Sequence, residues 1–340
     1  MKLSNTFKQR NFWLGFAMLW IGYIHSGLYS SIQLLREIKS LAPIAVDMII
    51  FASGIGCFYS LDKDPEPLRF LKRRVKRLGW VYLCFIVPWM LWRMVTGVFP
   101  KKAIVGNLLG VQSFITWEYH FNWYISGLVL FYFLSPFYKP LTDSMKKTWQ
   151  DVLVVLALTA VGVAFWQCGD NMVIIARLPI LYVGMVYGKM AKQGAVLGKK
   201  AAWLHGLAAF VGMAITWLAY RYTPSKLWSH GLYWYPNILI APAFCMGLSW
   251  LAEAMKEKPV LKTVHKLITT LGVYSFEFYL VHLFFFETLV PMFLPKFSFL
   301  PGNLYWALSF LPVFLCTFLL NRAAKLVAAV YGKCVARIKV

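Results

Sequence analysis

The chain has 340 residues, of which 60% are hydrophobic, 18% aromatic and only 14% charged, with 35 Lys and Arg against 13 Asp and Glu and a formal net charge of +22. These proportions exclude a soluble globular protein and describe a polytopic membrane protein. No charged stretch exceeds loop size, so residues 1–340 are expected to form one transmembrane domain with no separate soluble part. The excess of cations is the mark of membrane topology and of contact with anionic lipid heads, and it gives no support to nucleic-acid binding.

Ten apolar segments follow one another, near 12–31, 41–61, 78–98, 121–141, 150–168, 172–190, 201–221, 233–253, 268–290 and 303–323. Each is close to the ~20 residues that a bilayer core requires. A short stretch, 1–11, precedes the first and a tail, 324–340, follows the last. The first segment holds His25 and lacks a small-x-small cleavage site, so it reads as a span and not as a leader. With both termini on one side, 26 of the 35 Lys and Arg fall on that side and seven on the other, leaving Arg93 and Arg177 within the membrane. That bias predicts cytoplasmic N- and C-termini. The expected fold class is therefore an all-α integral membrane bundle of about ten transmembrane helices. The six cysteines are scattered, mostly within apolar runs, and their spacing points to packing and not to a metal site.

Two ionisable residues stand out against this apolar background. His25 lies six residues before the end of the first segment and Asp47 six residues after the start of the second, which puts both roughly 9 Å below the outer boundary. Ionisable groups at that depth are costly unless paired or facing water, and an acidic partner would fix the imidazole tautomer. The spacing therefore predicts a His25–Asp47 hydrogen bond. Asn122, Trp123, Arg177 and His282 collect in the same outer half, with Glu277 deeper, as if lining a polar chamber. A lone membrane histidine is often only an interhelical donor, and the acidic residue at matching depth is what lifts His25 above that reading.

Between the second and third segments runs Arg69-Phe70-Leu71-Lys72-Arg73-Arg74-Val75-Lys76-Arg77-Leu78. Its apolar positions recur at helical spacing, which predicts an amphipathic helix lying on the cytoplasmic surface. Such a helix binds anionic lipid in any case. Arg73, Arg74 and Arg77 are also suited to hold the phosphates of a nucleotide-like donor, because the guanidinium fork matches phosphate geometry.

Five strings now carry a family resemblance. Val46-Asp47-Met48-Ile49-Ile50-Phe51-Ala52-Ser53-Gly54 resembles the Val-Asp-x-Phe-Phe-x-x-Ser-Gly string of the membrane-bound acyltransferase 3 family, and the basic loop is similar to that family's basic loop after span two. Asn122-Trp123-Tyr124-Ile125 with Phe131-Tyr132-Phe133-Leu134-Ser135-Pro136, Arg177-Leu178-Pro179 with Gly184 and Gly188, and Ser275-Phe276-Glu277-Phe278-Tyr279-Leu280-Val281-His282 follow in the family's order. Two positions depart from it. Leu14 stands where the family usually has arginine, with Arg10 one turn earlier as a substitute, and Leu128-Val129 replaces the Glu-Glu pair of some members.

The resemblance implies an O-acyltransferase of the bacterial cytoplasmic membrane. Its donor would be cytoplasmic acyl-CoA, most often acetyl-CoA, and its acceptor a hydroxyl of a glycan or cell-envelope polysaccharide. His25 matches the family's essential histidine and acts as base or as nucleophile, oriented by Asp47. Arg73, Arg74, Arg77 and Arg10 would hold the donor. Arg177 or Asn122 would donate to the thioester oxyanion, Glu277 would line the tunnel or pair with an arginine, and Trp123 and His282 would contact substrate. No metal is expected. The rival reading is a transporter or flippase, with the polar chamber as its binding site.

Overall fold

The computed structural model describes residues 2–96, 103–116, 123–165, 172–222, 234–297 and 299–338. Eleven helices matter for the site: α1 (Arg10–His25), α2 (Pro43–Lys63), α3 (Pro67–Val95), α4 (Trp123–Ser144), α5 (Thr148–Ala164), α6 (Leu178–Lys192), α7 (Lys199–Tyr222), α8 (Asn237–Lys256), α9 (Pro259–Val273), α10 (Ser275–Phe284) and α11 (Phe310–Ile338). Among the described residues there is no β-strand, only one isolated backbone bridge between Lys2 and Val196.

Seven stretches among the described residues are long and apolar enough to cross a membrane. They correspond to seven of the ten expected segments. The other three are α1, with 16 residues, α4, which carries Lys139, Asp143 and two prolines, and α5, with 17 residues. The chain is thus an all-helical membrane protein.

Helix starts follow local chemistry. Proline occupies the first turn of α2, α3 and α9, where its missing N–H costs nothing. Glu66 caps α3, its carboxylate accepting from the Leu68 and Arg69 amides at 2.9 and 2.6 Å.

Three expectations change. The basic stretch is not a separate surface helix: it is the first third of α3, a continuous 29-residue helix. At 1.5 Å per residue such a helix is about 43 Å long, so the basic turns project beyond an apolar core as an extension of the span. The expected segment 268–290 breaks at Tyr274, so that α9 ends and α10 begins there, with the membrane-length helix running Ser275–Phe297. Finally, α1 stops at His25, because Ser26 is extended (φ −76°, ψ 151°), so His25 is the last residue of its helix instead of lying six residues inside it.

Two helix pairs are drawn into backbone contact by glycine. A Cβ on Gly15 of α1 would stand 1.8 Å from the Ile268 carbonyl oxygen of α9, and one on Gly272 would stand 1.7 Å from that of Asn11. Gly54 of α2 and Gly184 of α6 meet in the same way, with 2.2 and 2.3 Å to the carbonyls of Leu181 and Phe51. Small residues allow this approach, which drives helix association where apolar lipid offers no hydrophobic force. The α2–α6 and α1–α9 pairs therefore form a rigid frame around the polar residues.

Candidate functional site

Arg10 and His25 are the first and last residues of α1, about 22 Å apart along the axis. A cavity opens at each end. The one at the Arg10 end has a volume of about 820 Å³ and is lined by Arg10, Arg74, Lys76, Arg77 and Lys325, with Tyr132 and Glu277 among its other walls. Arg10 Nε donates to the Ala52 carbonyl at 3.3 Å and Arg74 Nη2 to that of Gly56 at 3.1 Å. The Arg74 guanidinium also lies over the rings of Phe70 and Tyr132, at 4.8 and 5.3 Å. Among the described residues no carboxylate forms an ion pair with Arg10, Arg74 or Arg77. Five cations gathered around a single lining carboxylate, Glu277, in a partly desolvated site favour a polyanion.

Arg73 is not part of this cluster. It bonds Asp64, which also pairs with Arg69 at 3.2 Å, and so it fastens the turn between α2 and α3. That bond pulls the Asp64 carboxyl below its ordinary range. Glu277 does line the cavity, but its partner is Asn321, whose amide donates at 2.6 Å, and not an arginine. Lys76, Lys325 and Asn321 were not singled out from the sequence; Lys76 sits in the same basic run, whereas nothing local marks Lys325 or Asn321.

At the other end of α1 a vestibule of about 230 Å³ is lined by His25, Trp123, Arg177 and Trp234, with apolar Ile21, Ile24 and Val46. The Arg177 guanidinium is held between the two indoles, 5.2 Å from Trp123 and 4.7 Å from Trp234. Its position follows from sequence: Arg177 is the residue before α6, and Pro179 in the first turn starts that helix.

The expected His25–Asp47 bond is absent. Asp47, 2% exposed, instead forms an ion pair with Arg177, Oδ1 to Nε at 3.1 Å, and accepts from Asn237 Nδ2 at 2.7 Å. His25 takes another partner, Glu287, with Nδ1 to Oε1 at 3.2 Å. Glu287 sits on a π-helical turn, Phe285–Leu289, that follows α10 directly. Such turns often occur at functional sites because they re-aim one side chain. A proton on the Nδ1 that faces this carboxylate would leave a lone pair on Nε2, which is the tautomer a general base needs. His282 does not line the vestibule: it is fully buried, packs edge-on against His25 with ring centroids 5.3 Å apart, and donates Nδ1–H to the Phe278 carbonyl at 2.9 Å. Asn122 lies outside the described residues.

Glu287 was missed. The signal available was its place in the run Phe284-Phe285-Phe286-Glu287-Thr288-Leu289, an acid within an apolar segment and only five residues after His282. Replacing it by Gln is expected to lower kcat by roughly a factor of 10 to 100, less than at a buried triad aspartate because its side chain is 45% exposed. Steady-state rates at saturating donor, together with an unchanged thermal midpoint, check this.

A third, narrow chamber of about 30 Å³ lies between the two cavities. It shares Ile49, Tyr124 and Tyr279 with the basic cavity and Ile21, His25, Val46 and Trp123 with the vestibule. The narrow chamber therefore adjoins both the arginine-lined cavity and the vestibule at His25. Residues 13–322 match a family model described as an acyltransferase domain. No curated protein and no solved structure matches the chain.

Proposed function

The chain belongs to the acyltransferase-domain family, and from that premise we propose that it transfers an acyl group from acyl-CoA, bound in the basic cavity, to an acceptor hydroxyl that enters through the vestibule. One observation carries the reading: a cavity of about 820 Å³, walled by arginines that have no carboxylate ion pair among the described residues, adjoins through shared wall residues a histidine whose Nδ1 lies 3.2 Å from a carboxylate. That volume is within the range of cofactor-sized sites. The donor's phosphates meet Arg10, Arg74 and Arg77, and its flexible arm runs beside α1 towards His25. The excess of Lys and Arg at the basic end favours a cytoplasmic donor side, and the acceptor then comes from the opposite side, as an envelope glycan would in a bacterial cytoplasmic membrane.

In the chemical step the acceptor oxygen attacks the thioester carbonyl carbon while His25 Nε2 takes its proton. The carbonyl oxygen gains charge, and Arg177 lines the same vestibule to stabilise it. The tetrahedral intermediate then collapses, the C–S bond breaks, and the proton on His25 passes to the departing CoA sulfur. Glu287 holds the imidazole in register throughout.

The deciding experiment measures CoA release from acetyl-CoA by purified protein in liposomes with cell-envelope glycan as acceptor. Acceptor-dependent release supports the reading. Absence of both release and binding of acetyl-CoA would favour a transporter, for which the same adjoining cavities would serve. A sharper arm separates neighbouring arginines. Arg77→Gln is expected to raise KM for the donor about tenfold with little change in kcat, the worth of one charge-assisted bond, whereas Arg73→Gln, outside the cavity, leaves KM where it was.

A further inference from the structure

The chain that follows His25 builds a second pocket beside the vestibule. Residues 26–32 leave α1 as a loop, and the short helix Gln33–Ser40 folds back against the end of α1. Trp20 Nε1 and the Tyr23 hydroxyl of α1 donate to the carbonyls of Ile38 and Leu35 at 2.6 and 3.3 Å, and the Asn303 side chain bonds both the N–H and the carbonyl of Tyr29, each at 2.8 Å. Among these ties lies a pocket of about 300 Å³ whose walls include Tyr23, Tyr29, Ser30, Arg36 and Lys39, together with Ile24, which also lines the vestibule.

The charge of this pocket is one-sided. No carboxylate lines it. Among the described residues Arg36 and Lys39 bond backbone carbonyls only: Arg36 Nη1 those of Ser30 and Ser31 at 3.0 and 2.8 Å, and Lys39 Nζ those of Leu28 and Ser26 at 2.9 and 2.6 Å. A guanidinium has five N–H groups and an ammonium three, so each cation keeps donors beyond these bonds. A neutral donor or water satisfies a carbonyl as well, and Lys and Arg are scarce on the outer side of a membrane protein. Two of the seven that the sequence places on this side nevertheless meet in one pocket. Lys39 also brings its charge close to the chemistry. Its Nζ bonds the carbonyl of the residue after His25, which puts it at most about 9 Å from the His25 Cα.

We propose that Arg36 and Lys39 bind an anionic substituent, a carboxylate or a phosphate, on the acceptor glycan while a hydroxyl of the same or the neighbouring sugar meets His25. The proposal rests on the acyl-transfer reading above and adds to it the class of acceptor, an acidic glycan. The exposed ring of Tyr29, held through its backbone by Asn303, offers a face on which a sugar packs.

The test uses protein in phosphatidylcholine liposomes with acetyl-CoA and with cell-envelope glycan split by anion exchange into neutral and acidic fractions. The acidic fraction is expected to show a KM at least tenfold below that of the neutral one. Reduction of its carboxyls or removal of its phosphates abolishes that advantage, and the treatment that does so identifies the anion. Arg36→Gln and Lys39→Gln each raise KM for the acidic fraction about tenfold, the worth of one charge-assisted bond, while KM for acetyl-CoA, bound at the other end of α1, stays within twofold. KM for the acidic fraction climbs with salt in wild type and stays nearly level in the double variant, a difference that mere fastening of the loop does not produce. Equal KM values for the two fractions, an advantage that survives both treatments, or equal losses on both fractions in the variants would overturn the subsite and leave acyl transfer standing. An effect of the substitutions that appears only when phosphatidylglycerol is added would assign the cations to lipid head groups and overturn it as well. No CoA release with either fraction would remove the acyl-transfer reading and the subsite together.

Discussion

His25→Ala lowers acceptor-dependent CoA release by about 10²- to 10⁴-fold, the usual worth of a positioned general base, while the thermal midpoint of the detergent-solubilised protein barely moves. The second half of that expectation comes from the surroundings of His25. It is the last residue of α1, its side chain is 28% exposed, and its removal breaks one contact to a half-exposed carboxylate and one edge contact to His282. No helix pair of the frame depends on it. The variant also leaves room in a vestibule of about 230 Å³, so added imidazole should restore part of the rate if the residue serves as a base. Unimpaired release in His25→Ala would sink the mechanism outright. Loss of release together with loss of the folded protein would place His25 among the structural residues instead.

Position along a helix was legible in this chain; direction around it was not. The apolar runs reveal most spans because a run of ~20 apolar residues has few other stable fates than to cross a membrane. They reveal less where a run contains a local break, as at Ser26 after α1 and at Tyr274 between α9 and α10, since neither residue type forbids a helix. The same limit governs the site. His25, Trp123 and Arg177 share the vestibule and Arg10, Arg74 and Arg77 share the basic cavity, as their rarity in apolar or cationic contexts suggests. The pairing of His25 with Asp47 fails by one residue: Val46 faces the vestibule, and Asp47 is turned about 100° away, towards α6 and α8. Arg73 and Arg74 differ by the same angle, and only Arg74 reaches the cavity. Glu287 shows the converse case, because the π-helical turn that aims it at His25 has no sequence signature.

Asp47→Ala is expected to destabilise the protein by about 3–5 kcal/mol, because it leaves the Arg177 guanidinium buried without its counter-charge. On the proposed mechanism Asp47 would act on the reaction through Arg177, its ion-pair partner, and not through His25. This separates two roles that a single loss of activity would confuse. Asp47→Asn keeps the shape and a partner for Asn237 but removes the charge, so Arg177 is freed from its ion pair; the effect should fall mainly on kcat. The double variant Asp47→Leu/Arg177→Met removes both charges and should recover most of the stability lost in Asp47→Ala, since two apolar groups of similar volume can replace a buried pair at little cost. If Arg177 stabilises the oxyanion, that recovered protein remains slow, by roughly 10²- to 10³-fold, the range for loss of an oxyanion donor. Recovery of both stability and rate in the double variant would make the pair a purely structural clamp, leaving the indole faces of Trp123 and Trp234 as the vestibule's contribution. Thermal unfolding and CoA release on the same four preparations decide between the two.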